Sequence, residues 1–168
     1  MDEIWGLCDK DGNPTTMKVK RFEKIPEGYY HKIVHLCIIN SAGKLLSQQR
    51  SASKFAFPLY WDITVGGSSI LDENENQAIT RELKEELGLD IDFTNISPIF
   101  LIKGINYLDY WFFIKCDVDL NQLTLQKDEV IDVAYYTIEE IEELISKDRF
   151  VDYLYSDMIK KVISLMFE

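Results

Sequence analysis

The sequence predicts a mixed α+β domain in which strands dominate and helices interrupt them. Three observations favour this class. Extended segments rich in β-branched and aromatic residues outnumber helical ones. The helical segments lie between and after the strands, and no linker or repeat divides the 168 residues. We therefore expect one domain over residues 1–168, with 1–30 as an N-terminal hairpin or extension and 150–168 as a C-terminal helix.

The predicted strands follow one another with short turns between them. Turn-forming residues at 9–15 indicate a hairpin or loop with extended flanks. The apolar, β-branched run at 31–40 predicts a buried strand, after which Ser-Ala-Gly-Lys turns the chain into a second one. Residues 60–67 alternate and then end in two glycines, which predicts another strand. The remaining strand candidates are ISPIFLIKG, YLDYWFFIKCDV and EVIDVAYYTI.

Three helices are predicted. Asn74 can cap the first one, Gln77 stands at the capping-box position, and Gly88 supplies a left-handed stop. The second helix is TIEEIEELIS. The third is predicted over 150–168 from an apolar stripe that we expect to pack in the core. That stripe consists of Phe150, Leu154, Met158, Val162 and Met166.

The composition limits the classes of partner. The net charge is −11, from 29 acidic and 18 basic residues. Binding to nucleic acid needs a basic face, so we expect no such partner. No apolar run approaches the ~20 residues of a membrane span, and the acidic N-terminus does not resemble a secretory signal. Three scattered cysteines without a C-x-x-C pair favour reduced thiols and a cytoplasmic protein.

The first predicted helix gathers three glutamates on one face. At about 100° per residue, Glu82, Glu85 and Glu86 fall within about 100° of one another. Like charges at i, i+4 destabilise a bare helix by a few tenths of a kcal/mol, whereas oxygen ligands at this spacing suit Mg²⁺ or Mn²⁺. A solvated charged face paired with Arg81 and Lys84 is the alternative interpretation. The adjacent apolar stripe consists of Ile79, Leu83 and Leu87.

The glutamates belong to a longer pattern. The run GSSILDENENQAITRELKEELGL, residues 67–89, matches G-x₅-E-x₇-R-E-U-x-E-E-x-G-U at every position, where U is aliphatic. This run resembles the box of the Nudix hydrolases, and the predicted strands around it resemble that family's α/β/α sandwich with a mixed β-sheet. The resemblance implies an Mg²⁺-dependent enzyme, with Mn²⁺ as a possible substitute. Its substrate would be a small molecule, a nucleoside diphosphate linked to another moiety, whose diphosphate is cleaved by water attack at phosphorus.

The resemblance also implies a role for each residue of the box. The three glutamates look like metal ligands, one of which also accepts a proton. Gly67 would add its backbone carbonyl, while Arg81 and Glu73 would orient the cluster. Outside the box, Glu129 is a further candidate for metal binding or for the catalytic base. Members of the family are often dimers, so a homodimer is possible.

The segment 29–67 resembles type I isopentenyl-diphosphate isomerases and the hydrolases closest to them, which makes an isomerase the main alternative. Those enzymes use a cysteine just before the glycine that opens the box and a histidine just after it, where this sequence has Gly66 and Ser68. His31 matches another of their metal-ligand positions. Loss of the acid/base cysteine with the box intact favours hydrolysis. A non-catalytic Nudix-like binding module is a third possibility, although such modules typically have eroded glutamates.

Substrate contacts outside the box are also predicted. Arg50 and Lys54 are candidate phosphate-binding residues, and Trp61 is a candidate for stacking on a base, although tryptophan is more often core. His35 is expected to be a core histidine with satisfied hydrogen bonds. No local pattern distinguishes dinucleotides, sugar nucleotides, oxidised nucleotides and isoprenoid diphosphates as substrates.

Overall fold

The structure is a computed structural model that describes residues 3–167. Within those residues the elements follow in this order: β1 Ile4–Cys8, β2 Pro14–Lys20, β3 His31–Ile39, β4 Leu45–Arg50, β5 Trp61–Asp62, β6 Val65–Ser68, α1 Glu75–Leu87, β7 Phe100–Lys103, β8 Tyr107–Lys115, β9 Val130–Tyr136, α2 Ile138–Ser146 and α3 Ser156–Leu165.

The strands form a hairpin and a larger sheet. Strands β1 and β2 pair antiparallel, as the turn residues between them predict. The larger sheet has the order β5-β4-β3-β8-β7, with β6 also paired to β3 and β9 to β4. Strands β3 and β8 run parallel and the other pairs run antiparallel. The sheet is therefore mixed, which confirms the predicted α+β class.

Two apolar clusters cover the two faces of the sheet. Successive side chains of a strand point to opposite faces, so Leu36 and Ile38 of β3 pack in the cluster that includes the apolar stripe of α1. Cys37 and Ile39 pack in the second cluster, with α2 and α3. This arrangement is the predicted α/β/α sandwich. None of the helices within residues 3–167 is long and apolar enough to cross a membrane.

Helix α1 forms where its local signals predict. The Asn74 side chain accepts a hydrogen bond from the backbone N–H of Gln77 at 2.9 Å, and the Gln77 side chain accepts one from the Asn74 N–H at 2.9 Å. Gly88 ends the helix with φ of 72°, a conformation that suits glycine. These caps fix both ends of the helix that carries the three glutamates.

Residues 60–67 form two short strands rather than the one predicted. Strand β5 pairs with β4, whereas β6 pairs with β3. Thr64 stands between them, where its Oγ1 accepts a hydrogen bond from Ile38 N at 2.9 Å and donates one to Leu46 O at 2.5 Å. The threonine hydroxyl thus bridges β3 and β4 at the point where the chain stops pairing with β4 and begins to pair with β3.

The C-terminal helix begins later than predicted. Residues 150–155 are not helical, because Phe150 forms a parallel bridge with Trp61, supported by Val151 N donating to Trp61 O at 2.9 Å. The predicted stripe is correct in part: Phe150, Val162 and Met166 pack in the second cluster, whereas Leu154 is fully exposed and Met158 is 43% exposed. The buried residues of α3 are Ile159 and Ile163.

Candidate metal centre and active site

A cavity of about 250 Å³ lies where β6, α1 and the segment before β9 meet. It brings together most of the residues that the sequence predicts for the site. Arg50 and Trp61 do not line it. The predicted residues that do are Lys54, Gly67, Arg81, Glu82, Glu85, Glu86 and Glu129.

The glycine of β6 allows α1 to approach the sheet closely. A Cβ atom added at Gly67 would stand 2.2 Å from Cδ and from Oε1 of Glu82. Any side chain at position 67 would therefore collide with the Glu82 carboxylate. The absence of a side chain at this position is what sets the Glu82 carboxylate against the backbone of β6.

The Arg81 side chain ties the carboxylates to the sheet. Its Nε donates to Glu73 Oε1 at 2.7 Å, and its Nη2 donates to Glu73 Oε2 at 3.0 Å and to Ser68 O at 3.0 Å. Its Nη1 lies 3.0 Å from Glu85 Oε2 and 3.1 Å from Glu82 Oε1. Burial disfavours the charge of Arg81, but these carboxylates outweigh it and raise its pKa. Arg81 and Glu73 therefore have the geometry of an orienting pair.

Two of the three glutamates are desolvated. Burial raises the pKa of Glu86 to about 8, and the nearby charge of Glu82 adds to this, although Gln48 Nε2 donates to Glu86 Oε2 at 2.9 Å. Burial likewise raises the pKa of Glu82 to about 7, against the lowering effect of Arg81. Glu85 differs from both, since its side chain is 52% exposed.

The donor atoms fit a divalent cation. Two desolvated carboxyl groups beside the backbone of Gly67 make a set of hard oxygen donors. Their raised pKa values show that burial disfavours their charged forms, which a bound cation would stabilise. Among residues 3–167, however, no three histidine, cysteine, aspartate or glutamate groups already stand together as a metal site. The Arg81 guanidinium lies between Glu82 and Glu85 and serves as their counter-charge.

Lys54 and Glu129 form an ion pair within the cavity. Glu129 precedes β9, and its backbone carbonyl accepts a hydrogen bond from Ser51 N at 2.8 Å. That bond joins the segment before β9 to the loop that carries Lys54. The pair therefore places one cation and one carboxylate beside the box glutamates.

Arg50 and Trp61 are engaged elsewhere. Arg50 donates from Nη1 to Asp62 Oδ2 at 3.1 Å and from Nε to Ala56 O at 3.0 Å. Trp61 is 9% exposed and packs edge-on against Tyr136 with ring centroids 5.0 Å apart. The burial of Trp61 agrees with the core interpretation rather than with stacking on a substrate in this cavity.

The two histidines lie on the same side of β3, and each has a partner. His35 Nδ1 lies 2.7 Å from Asp109 Oδ1, and its ring packs on Trp111. His31 Nε2 lies 3.2 Å from Ser68 Oγ, beside the cavity. The His35 ring also fills the space next to Gly66, because a Cβ there would stand 2.7 Å from His35 Cδ2.

Burial of His31 makes the protein sensitive to acid. Burial lowers the pKa of His31 to about 4, from an ordinary value of 6.5. The folded state thus prefers the neutral ring. The contribution of His31 to the free energy of unfolding is fully present above pH 6.5 and is lost as pH falls towards 4. We expect a loss of about 2 kcal/mol between pH 8 and pH 5 from this group. Urea unfolding at the two pH values should show a smaller loss in His31→Gln. An equal loss in the variant would contradict the assignment.

Two charged residues of the cavity wall were not predicted from the sequence. Glu3 and Arg21 also line the cavity. They lie at the two open ends of the β1–β2 hairpin, where Arg21 N donates to Glu3 O at 2.9 Å. Their place depends on how the hairpin docks on the rest of the fold, and no local motif carries that information.

A mixed sheet whose glycine-containing strand β6 packs against a helix of clustered glutamates, taken together with the following similarities to known proteins, defines a hydrolase of the Nudix type. The model of the NUDIX domain matches residues 29–157, and the chain belongs to this family. An uncharacterized Nudix hydrolase of Listeria innocua is 40% identical over 158 residues, which covers 94% of this chain and 93% of that protein. A crystal structure from Deinococcus radiodurans, 19% identical, has a TM-score of 0.74 over 99% of this chain and 100% of that one.

The similarity extends to the isomerases that the flanking segment resembles. Isopentenyl-diphosphate Delta-isomerase I of Camptotheca acuminata is 33% identical over 158 residues, which covers 81% of this chain and 66% of that enzyme. The chain is thus a Nudix protein related to this subgroup.

Proposed function

We propose that the protein is an Mg²⁺-dependent hydrolase that cleaves the diphosphate of a nucleoside diphosphate linked to another moiety. The observation that carries this proposal is the gathering of Glu82, Glu85 and Glu86 in one cavity against Gly67. Hard oxygen donors of this kind suit Mg²⁺, with Mn²⁺ as a substitute. The family supports the reaction class, and the donor set supports the choice of ion.

In this proposal the box residues hold the ion and the substrate in position. Glu82, Glu85, Glu86 and the carbonyl of Gly67 would be its ligands. When bound, the ion would neutralise the diphosphate and lower the pKa of the attacking water. Arg81, held by Glu73, keeps the carboxylates in place.

The bond changes then need few further groups. The water oxygen forms a bond to one phosphorus, the bond from that phosphorus to the bridging oxygen breaks, and the products are two phosphate monoesters, one of which keeps the bridging oxygen. A carboxylate must accept the proton of the water, and we assign this role to Glu129 or to one of the box glutamates, all of which line the cavity. Lys54, on the same wall, would bind a phosphate oxygen.

Removal of the metal tests the choice of cofactor. Treatment with a chelator should abolish phosphate-ester release from a substrate panel, and added Mg²⁺ should restore it. Mn²⁺ should restore it in part or in full. Turnover that persists in excess chelator would contradict the proposal.

The isomerase is a weaker second candidate. Its acid/base cysteine would occupy position 66, where the ring of His35 leaves no room for a side chain. We expect Gly66→Cys to show no isomerase activity, and the double change with Ser68→His to show none either. The assay is conversion of isopentenyl diphosphate, with retained folding checked by circular dichroism. Isomerisation by the double variant would contradict this view of the site.

We also propose a cytoplasmic location and a homodimeric state for the protein. Cys8, Cys37 and Cys116 are free thiols, which supports a reducing compartment such as the cytoplasm. A homodimer follows from the family resemblance alone. Light scattering on the purified protein tests it directly.

A further inference from the structure

The end of the N-terminal hairpin is fixed at the cavity by charged groups. Arg21 Nη1 donates to Glu3 Oε2 at 2.7 Å, and Trp5 Nε1 donates to Glu3 Oε1 at 2.7 Å. The Trp5 ring in turn stacks on His31, with centroids 4.0 Å apart and an interplanar angle of 3°. Glu3 therefore holds the Arg21 side chain at the cavity wall. Both residues precede the segment 29–157 that matches the family.

Arg21 is the most accessible of the three cations that line the cavity within the described residues. Its side chain is 46% exposed, against 22% for Arg81 and 21% for Lys54. Arg81 is surrounded by carboxylates, and Lys54 is paired with Glu129. A guanidinium has five N–H donors, and the Glu3 pair accounts for one of them. Arg21 can therefore contact a ligand without leaving Glu3.

The next residue steadies this side chain. Phe22 has φ of 70°, which is unusual for a bulky residue, and the residue is 77% exposed. The Cζ atom of Arg21 lies 5.0 Å from the centroid of that ring. This distance is typical of a cation–π contact. The guanidinium thus contacts both the Glu3 carboxylate and the Phe22 ring while it lines the cavity.

We propose that Arg21 is a substrate-binding residue which the N-terminal hairpin supplies to the cavity, where it binds phosphate oxygens of the diphosphate. Glu3 positions it. The planar fork of a guanidinium matches phosphate oxygens in two parallel, charge-assisted hydrogen bonds. The cavity walls are rich in carboxylates, so Arg21 would add to the positive charge that the metal ion and Lys54 offer an anionic substrate. This proposal rests on the proposed function, because it takes the ligand to be a diphosphate.

Binding of two defined probes tests the role of Arg21. Calorimetric titration with ADP and with inorganic pyrophosphate, both in MgCl₂, gives Kd for each variant. We expect Arg21→Ala to weaken both probes roughly ten- to a hundredfold, since a hydrogen bond between charged groups is lost. Arg21→Lys should recover part of the affinity. Lys18→Ala is the matched control, because Lys18 lies on the same hairpin, is exposed and does not line the cavity; its Kd should stay within about twofold.

The outcomes separate this proposal from the hydrolase proposal. An unchanged Kd in Arg21→Ala, or an equal loss in Lys18→Ala, would overturn the role of Arg21 while leaving hydrolysis standing. Binding that depends on Arg21 in a protein without turnover would support Arg21 and overturn the hydrolase. A wild-type protein that binds neither probe would overturn the role of Arg21, whereas turnover of the substrate panel would decide the hydrolase separately. With a substrate that the wild-type enzyme hydrolyses, Arg21→Ala should raise KM more than it lowers kcat.

Discussion

Glu86→Gln is expected to abolish nearly all metal-dependent turnover while the protein stays folded. Glu86 is 5% exposed and lies in the cavity beside Glu82. The amide removes a charged ligand, and loss of even an outer-shell partner typically costs 10–100-fold, so we expect a loss on the order of 10²-fold or more. The measurement is the initial rate of hydrolysis at saturating Mg²⁺.

The fold should survive this change for a physical reason. Burial raises the pKa of Glu86 to about 8, so the carboxyl group is largely protonated at neutral pH without metal. Glutamine has nearly the same shape and the same neutral charge, and it can still accept a hydrogen bond from Gln48. The melting temperature should therefore change little. Glu139→Gln, an exposed glutamate of α2, is the control for loss of a negative charge.

The companion variant Glu85→Gln tests the more exposed member of the cluster. It should also lower turnover strongly, because the exchange removes a second carboxylate from the proposed ligand set. If both variants retain wild-type rates while Glu139→Gln does too, the glutamates do not hold the catalytic metal.

Gly67→Ala is expected to cause a comparable loss of turnover, because it displaces the Glu82 carboxylate, a proposed metal ligand, without removing it. The new methyl group would lie 2.2 Å from the Glu82 carboxyl group, a distance that forces one of the two to move. The end of the Glu82 side chain is flexible, so it should rotate away while α1 stays packed. We expect turnover to fall on the order of 10²-fold, with a melting temperature lowered by only a few degrees.

Gly6→Ala is the matched control for this substitution. A Cβ at Gly6 would have its nearest neighbour at 3.6 Å, an ordinary contact. Gly6 lies in β1, outside the glutamate cavity. Turnover within threefold of wild type in Gly67→Ala, or an equal loss in Gly6→Ala, would show that the close approach of β6 and α1 is not needed for activity.

Features governed by neighbouring residues could be predicted from the sequence. Helix α1 follows from Asn74, Gln77 and Gly88, each of which acts within one turn of its own position. The placement of the three glutamates on one face of α1 follows from helical periodicity, and the family pattern then gives their proposed role. The sheet class likewise follows from the strand segments.

Features that depend on distant partners could not be predicted. Phe150 fits a helical stripe by spacing, yet its backbone pairs with Trp61, 89 positions earlier in the chain. Arg50 looks available for a phosphate until the fold brings Asp62 to it. Arg21 carries no motif and reaches the cavity because the hairpin docks there. In each case the deciding partner is remote in sequence.

The most direct test of the central proposal is hydrolysis of a substrate panel, with and without Mg²⁺, by the wild type and Glu86→Gln. The panel contains nucleoside triphosphates, ADP-ribose, NADH, sugar nucleotides, dinucleoside polyphosphates and isopentenyl diphosphate. We expect Mg²⁺-dependent release of a nucleotide or phosphate product from at least one nucleoside diphosphate derivative, lost in Glu86→Gln. No turnover of any member, combined with tight binding of one of them, would contradict the hydrolase and identify a binding module instead.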